Sequence, residues 1–184
     1  DFKEVGKQEF TVSKKHYYGA SSKTKTHFFV FFQTKKRKYI LMSLDIETMK
    51  VNTVEGEIRK KMSFGKMNII GDYALFDSRV KKETFLTKIN WKSGEKSIIP
   101  VKVKDNKAKS IRYTNSQVLK DESELFYFIR ADKEKETYVM RIGKDGKKKD
   151  FFCITKNYDQ VIAEISVSKT GDDEYIYTGT YSNY

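Results

Sequence analysis

One structural unit recurs along this chain: two short apolar segments joined by a charged loop. The copies are His27–Gln33 with Tyr39–Leu44, Asp72–Phe76 with Thr84–Ile89, and Glu124–Ile129 with Thr137–Ile142. Their second segments align without gaps, so that Leu41, Leu86 and Val139 correspond at spacings of 45 and 53 residues. β-Branched and aromatic residues dominate these segments, which is typical of strands. We therefore predict that the same β-hairpin is repeated three times and that the copies bury their apolar faces on each other.

Each predicted hairpin is flanked by two further strands. A last strand follows a polar turn at Val51–Val54, Ile98–Val103 and Phe151–Ile154, and a first strand precedes the hairpin at Tyr17–Tyr18, Met67–Ile70 and Ser116–Leu119. The loops within the hairpins are predicted at Thr34–Lys38, Asp77–Glu83 and Arg130–Glu136. The sequence therefore predicts an all-β fold of repeated four-stranded antiparallel sheets, with approximate repeats at residues 16–58, 64–104 and 113–157.

The two ends of the chain carry partial copies of the unit. Val161–Val167 and Glu174–Tyr181 match its first two strands, which predicts a partial repeat at residues 161–184, and Glu9–Lys15 resembles a last strand. We predict a single domain over residues 1–184 with about three and a half sheets, as a fragment or an incomplete ring. An unclosed arc exposes sheet edges, and self-association through them is expected.

The four-strand unit resembles the blades of β-propeller proteins, especially the diverged blades of bacterial secreted and cell-envelope proteins. The segment Tyr177–Ser182 is similar to a second-strand pattern of such blades. This resemblance implies a recognition surface of inter-strand loops in an exported protein, located in the periplasm, on the cell surface or in the medium. A β-sandwich is the alternative, because spacing alone does not separate sheets in a ring from sheets in a stack.

The charge of the chain bears on its partners. It has 37 Lys and Arg against 25 Asp and Glu, a formal net charge of +12. A basic surface attracts polyanions, but lysines spread over every loop are also typical of a solvated β surface that resists aggregation. The single cysteine, Cys153, cannot form an internal disulfide. No apolar stretch reaches the roughly 20 residues of a transmembrane helix, so we predict no transmembrane segment.

Aromatic residues beside lysines are the candidate binding residues. Trp91 lies at a predicted strand end with Lys88 and Lys92, and Tyr113 and Tyr158 could join the same surface. Sugars and single-stranded nucleic acids stack on exposed rings near basic groups. The alternative is that Trp91 packs between neighbouring sheets.

Residues suited to catalysis are sparse. Carboxylates gather at Asp121–Glu124 and at Asp172–Glu174, and glycan hydrolysis needs two carboxylates that face one cleft. Both groups of carboxylates come just before the second strand of their repeat. Asp is common in tight turns at such positions, so turn formation is the alternative explanation. His16 and His27 have no cysteine nearby and show no zinc-ligand spacing. We predict no metal site and no cofactor.

These observations lead to one main functional prediction and two alternatives. The main prediction is a non-catalytic binding or scaffold module that recognises a protein or an acidic glycan through inter-strand loops. The first alternative is a glycan-hydrolysing enzyme with a carboxylate pair in a central cleft. The second is a basic surface that binds nucleic acid or another polyanion.

Overall fold

The computed structural model describes residues 16–34, 37–58, 62–81, 83–103, 111–131, 136–155 and 161–182; at 16, 17, 155, 161–164 and 180–182 only the backbone is described. Within these ranges every regular element is a β-strand. The strands are β1 (His16–Lys23), β2 (His27–Thr34), β3 (Lys38–Asp45), β4 (Val51–Glu57), β5 (Met62–Ile70), β6 (Tyr73–Val80), β7 (Glu83–Asn90), β8 (Lys96–Pro100), β9 (Ile111–Val118), β10 (Glu124–Ala131), β11 (Glu136–Gly143), β12 (Lys148–Thr155), β13 (Val161–Gly171) and β14 (Glu174–Ser182). The described residues include no helix able to cross a membrane.

The strands form successive antiparallel sheets, each made of strands that are consecutive in the chain. The first sheet has the order β1-β2-β3-β4, the second β5-β6-β7-β8, and the third β9-β10-β11-β12, while β13 and β14 form a two-stranded fourth sheet. The predicted all-β fold of repeated four-stranded sheets is confirmed. The segment Glu9–Lys15, predicted as a last strand, lies outside the described residues.

The hairpin loops are shorter than predicted. β6 continues to Val80 and β7 begins at Glu83, so the polar segment Asp77–Val80 is strand and not loop. In the third sheet, β10 continues in the same way to Ala131. The predicted strands ended where the apolar run gave way to polar residues. A polar side chain does not prevent strand pairing, so the strands continue past that point.

Both faces of the second and third sheets are covered, which explains why residues on both faces of their central strands are buried. Four successive residues of β10, Phe126 to Ile129, are all fully buried. Alternate residues of a strand face opposite sides of a sheet. Phe126 and Phe128 therefore face the fourth sheet, whereas Tyr127 and Ile129 face the second.

Three hydrophobic clusters join successive sheets. The first cluster contains Ala20, Phe29, Phe31, Tyr39, Leu41 and Val54 of the first sheet and Met67, Ile69, Ala74, Phe76 and Ile89 of the second. The second contains Ile70, Leu75, Leu86, Val101 and Val103, packed against Ile111, Leu125, Tyr127, Ile129, Ala131, Tyr138, Met140 and Ile142. The third contains Leu119, Phe126, Phe128 and Val139 of the third sheet and Ile165 and Val167 of the fourth. The sheets are therefore stacked in chain order.

The backbones of neighbouring sheets approach each other mainly at their first strands, β1, β5, β9 and β13. The turn before β2 also reaches the turn before β10, where the Lys25 amide donates to a carboxylate oxygen of Glu122 at 3.1 Å. This contact links the first sheet to the third. The sheets therefore fan outward from their first strands.

Side chains of the third sheet hold the fourth sheet in place. The Gln117 amide on β9 donates to the Val167 carbonyl oxygen at 2.9 Å and accepts from the Val167 N–H at 2.8 Å. Asn115 donates to the Ile165 carbonyl oxygen at 3.3 Å. These side chains satisfy backbone groups on the edge of β13 that no neighbouring strand pairs.

Candidate functional site

A cavity of about 300 Å³ lies between the second and third sheets, beside their first strands. Described residues of four strands line it: Ser63, Phe64 and Gly65 of β5, Asp77, Ser78 and Arg79 of β6, Thr84 of β7, and Ile111, Arg112 and Tyr113 of β9. The cavity therefore forms at the junction that the second hydrophobic cluster closes elsewhere. It lies at the end of the junction where β7 begins.

Asp77 is the residue that opens this junction. In the three hairpins, Leu41, Leu86 and Val139 pair with Phe31, Asp77 and Phe128, respectively. Phe31 and Phe128 are fully buried and fill their own junctions. Asp77 thus replaces a phenylalanine at the equivalent position, and its smaller polar side chain leaves space between the sheets.

A bulge in β5 accommodates the Asp77 carboxylate. The register between β5 and β6 shifts between Phe64 and Met67, and a Cβ atom added at Gly65 would lie 1.9 Å from Asp77 Oδ2. Gly19 stands in the same relation to Phe31, at 2.9 Å from a ring carbon. Each glycine therefore lies directly against the side chain at the equivalent β2 or β6 position.

Burial raises the pKa of Asp77 above its ordinary value of 3.8, because the charged carboxylate loses solvation. The backbone N–H groups of Asp77 and Lys66 and the Lys66 charge oppose this rise but do not cancel it. One carboxylate oxygen, Oδ1, is buried without a hydrogen-bond partner in the described structure. Asp77 therefore faces the cavity with unused hydrogen-bonding capacity.

Two hydroxyl groups in the same cavity also have unused hydrogen-bonding capacity. The Tyr113 OH and Thr84 Oγ1 are also buried without a hydrogen-bond partner in the described ranges. The ring of Tyr113 packs edge-on against Tyr127 with centroids 5.6 Å apart, and burial raises its pKa. Of the five such atoms found in the described residues, three line this cavity. A buried polar group normally pairs with protein, water or a ligand, so the cavity is suited to a polar occupant.

The residues predicted around Trp91 do not form part of this cavity. Trp91 follows the last residue of β7, at the opposite end of the strand from Thr84. Its ring packs on His27 and Phe29 with centroids 4.9 and 5.4 Å away, and its Nε1 donates to the Gly71 carbonyl oxygen at 3.1 Å. Trp91 therefore packs between the first and second sheets.

The two lysines near Trp91 have local partners. Lys92 forms an ion pair with Asp72 at 2.8 Å, and the ammonium of Lys88 lies 4.5 Å from the ring centre of Tyr73. Of the predicted binding residues, only Tyr113 lines the cavity, and Tyr158 lies outside the described residues.

The two carboxylate groups singled out in the sequence have different roles. Asp121 accepts hydrogen bonds from the Ser123 backbone and hydroxyl, at 3.0 and 2.7 Å, which is turn chemistry. Glu124 and Asp173 instead meet at Arg141, whose Nη1 lies 3.5 and 2.8 Å from their oxygens. These two acids come from neighbouring sheets, and Arg141 forms an ion pair with each of them.

Hydrogen bonds extend this ion cluster around Glu124. Lys149 Nζ lies 2.8 Å from Glu124 Oε1, the Tyr175 hydroxyl donates to the other oxygen, and Arg141 Nη2 lies 2.5 Å from Asp150. Burial would raise the pKa of Glu124, but the hydrogen bonds from Lys149 and Tyr175 and the Arg141 charge outweigh it and lower that pKa. Burial and the bond to Glu124 raise the pKa of Tyr175 to about 12.

Among the described residues, no group of three or more His, Cys, Asp or Glu is placed to hold a metal ion. No protein-family model matches the sequence, and no curated protein matches it.

Asp77 and Thr84 were missed by the sequence analysis, which placed Asp77 in a loop. The signal that could have found Asp77 is the alignment of the hairpin strands, each of which matches its counterparts without gaps although the loops between them differ in length. It places a carboxylate opposite Leu86 where the other copies have Phe31 and Phe128. Thr84 carries no comparable signal.

Proposed function

We propose that this protein is a non-catalytic binding module of β-propeller type, and that the cavity between its second and third sheets holds a sugar unit of an acidic glycan. The observation that carries the proposal is the convergence of three unpaired buried polar atoms, on Asp77, Thr84 and Tyr113, in one cavity. The packing of the sheets in chain order around their first strands supports the propeller assignment.

The lining of the cavity suits a ligand that bears hydroxyl groups. Thr84 and Tyr113 each donate and accept hydrogen bonds, while the Asp77 carboxylate accepts them. Ile111 offers apolar surface for the C–H face of a sugar ring, whereas the Phe64 ring packs on Phe31 and Phe76 toward the first sheet. Pockets for small ligands combine such apolar walls with a few polar groups and begin at roughly 300 Å³. A cavity of this size holds water in the free protein, which ligand hydroxyls would displace.

The charge near the cavity favours an acidic sugar. Arg79 lies on the exposed side of the lining, with its Nε donating to the Lys81 carbonyl oxygen at 3.2 Å. An arginine has four further N–H donors on its two Nη atoms, which can bind a carboxylate. The charge of Lys66 acts on the Asp77 carboxyl and opposes part of the rise in its pKa, so a cationic ligand would meet two like charges, Arg79 and Lys66.

Binding is favoured over hydrolysis by the number of acids. Asp77 is the one carboxylate among the described residues that line the cavity, whereas glycan hydrolysis needs two. Two other carboxylates, Glu124 and Asp173, meet across sheets at Arg141. Both have lowered pKa values, so neither residue is suited to donate a proton.

The proposal is tested by titrating the protein calorimetrically with tetramers of galacturonate and, for comparison, of galactose. We expect the acidic tetramer to bind. Tyr113→Phe and Thr84→Val should each weaken it about five-fold, because each variant removes one hydrogen bond to the ligand, worth about 1 kcal/mol. Tyr18→Phe is the matched control, since its hydroxyl is exposed and bonds to Ser21.

Two results would contradict the proposal. One is the absence of binding by both tetramers. The other is binding that Tyr113→Phe and Thr84→Val leave as strong as in the wild type. Release of new reducing ends during the titration would instead support the hydrolytic alternative.

A further inference from the structure

Asp77 and Arg79 lie on the same face of the second sheet. Alternate residues of a strand face the same way, and these two are about 7 Å apart along β6. Their face is the one toward the third sheet, because Leu75, two residues before Asp77, belongs to the cluster that joins these sheets. Asp77 is half-buried and Arg79 is exposed. A carboxyl inside the cavity therefore has a guanidinium beside it on the solvent side.

An acidic sugar held by Arg79 brings a second carboxylate toward Asp77. Oδ1 of Asp77 is buried and has no hydrogen-bond partner in the described ranges, so it is the oxygen left for a ligand. An ionised carboxylate only accepts hydrogen bonds, and two ionised carboxylates at one site repel each other. A carboxyl that keeps its proton donates one O–H instead. Asp77 is therefore complementary to an acidic ligand only in its protonated form.

The surroundings of Asp77 make its proton the variable charge of the cavity. Burial raises the pKa of Asp77, so the carboxyl keeps its proton to higher pH than an ordinary one. Among the described residues of the lining, it is the one carboxyl, and no histidine is present. The other charged or titratable groups near it are Lys66 of β5, Arg79 of β6, Arg112 and Tyr113 of β9, and Tyr127 of β10, while β7 contributes the uncharged Thr84.

We propose that Asp77 recognises the acidic sugar by donating a hydrogen bond from its protonated carboxyl to the sugar carboxylate, so that the ligand binds more tightly in acid. This inference rests on the proposed function and adds the regulation of the same cavity by pH. Arg79 binds the carboxylate from the solvent side. Where free Asp77 is ionised, binding takes one proton from solvent and holds it between the two carboxyl groups, and no other bond forms or breaks.

This arrangement determines how affinity changes with pH. Above the pKa of free Asp77, each further pH unit lowers its protonated fraction about ten-fold, so affinity should fall by up to about ten-fold per unit. Below that pKa the proton is already in place, and affinity should level off. A ligand that takes up no proton would show neither change.

Calorimetric titration with the galacturonate tetramer, from about pH 5 to about pH 8, tests the inference on the full chain. Each titration is repeated in two buffers with different ionisation enthalpies, because the difference in heat gives the number of protons taken up. For the wild type we expect affinity to fall as pH rises and proton uptake to approach about one per ligand.

Two variants show whether Asp77 is the group that holds the proton. Asp77→Asn always presents N–H donors, so its affinity should lose the pH dependence and its binding should take up no proton. Asp145→Asn is the matched control. Asp145 lies on the turn between β11 and β12, away from the cavity, and accepts from the Lys147 N–H at 3.0 Å, as an asparagine also can. This variant should behave like the wild type.

The possible failures are distinguishable. Binding that Tyr113→Phe and Thr84→Val weaken, but that is independent of pH and takes up no proton, would overturn this inference and leave the proposed function standing. A pH dependence that persists in Asp77→Asn would overturn it as well, because another group would then hold the proton. Absence of binding at every pH would contradict the proposed function and this inference together.

Discussion

The side-chain amide of Asn68 donates a hydrogen bond to the hydroxyl of Tyr127, 3.1 Å away, and so joins the first strand of the second sheet to the third sheet. Both residues are buried. Ser116 donates to the other end of the same amide at 3.1 Å, and Tyr127 donates to the Leu75 carbonyl oxygen at 3.3 Å. A closed polar network thus lies within an otherwise apolar junction, where every member depends on its partners.

This network predicts a large cost for a small substitution. Tyr127→Phe keeps the ring but leaves the Asn68 amide without its acceptor, so it should lower the free energy of unfolding by about 1–3 kcal/mol. Urea unfolding measures the change. Tyr18→Phe, which removes an exposed hydroxyl, should change stability by less than about 0.5 kcal/mol. Equal effects of the two substitutions would contradict the role of the network.

The contact between Gly65 and Asp77 predicts a non-additive pair of substitutions. Gly65→Ala places a Cβ atom 1.9 Å from Asp77 Oδ2 and should cost about 1–3 kcal/mol of unfolding free energy. With Asp77→Ala already present, the same change should cost much less, because the clashing atoms are gone. Thermal unfolding of the four proteins gives the coupling energy. Gly171→Ala, which meets only the end of the Glu174 side chain at 3.0 Å, should be nearly neutral.

The raised pKa of Asp77 predicts how stability changes with pH. In the unfolded chain this carboxyl titrates near 3.8, whereas in the native protein it keeps its proton to higher pH. The native state therefore binds more protons between these two values, and the contribution of Asp77 to stability is lost as pH rises through its native pKa. Asp77→Asn removes this loss, so the variant should gain stability relative to the wild type as pH rises through that window.

The pKa of Asp173 shifts in the opposite direction from that of Asp77, so its contribution to stability changes with pH in the opposite sense. Its hydrogen bond from Arg141 and the charge of that residue lower its pKa. The stability that it contributes is therefore present above pH 3.8 and is lost as pH falls through its native pKa. Asp173→Asn should be destabilising at neutral pH and neutral in acid. Urea titrations from about pH 3 to about pH 8 test both variants, and parallel pH profiles for the two would contradict the assigned environments.

The ion cluster predicts which sheet detaches first. Arg141→Met leaves the buried Glu124 with Lys149 as its remaining cationic partner among the described residues and should cost about 1–3 kcal/mol, whereas adding Glu124→Leu should recover part of that loss. Hydrogen exchange should show lost protection in β13 and β14 before the other sheets. Lys92→Met breaks the exposed ion pair with Asp72 and should cost less than about 1 kcal/mol. Uniform loss of protection in all sheets would show that Arg141 does not hold the fourth sheet.

The repeat was predictable because it depends on strand spacing and apolar pattern, which are local properties. The alignment of Leu41, Leu86 and Val139 matches the register that the structure shows in all three hairpins. The cavity was not predictable in the same way. It depends on Asp77 and Tyr113 meeting across two sheets, and strand pattern alone does not give that distance.

The environment of Trp91 is a second feature that the sequence alone does not predict. An aromatic residue between lysines is compatible with a stacking surface and with packing between sheets. The choice depends on which groups reach the ring: here His27 and Phe29 cover it and the Gly71 carbonyl oxygen binds its N–H. These partners lie on other strands and turns, far from Trp91 in the chain.

Each described sheet is one uninterrupted stretch of chain, and this order affects how the protein can be made. A sheet can complete all its ladder hydrogen bonds once its own segment has left the ribosome, without waiting for distant residues. Folding can then advance from the amino end one sheet at a time, and each finished sheet offers a template for the next. A chain stalled between two sheets would expose the apolar face that its last finished sheet later buries on the next one, so a pause in synthesis at these points would favour aggregation.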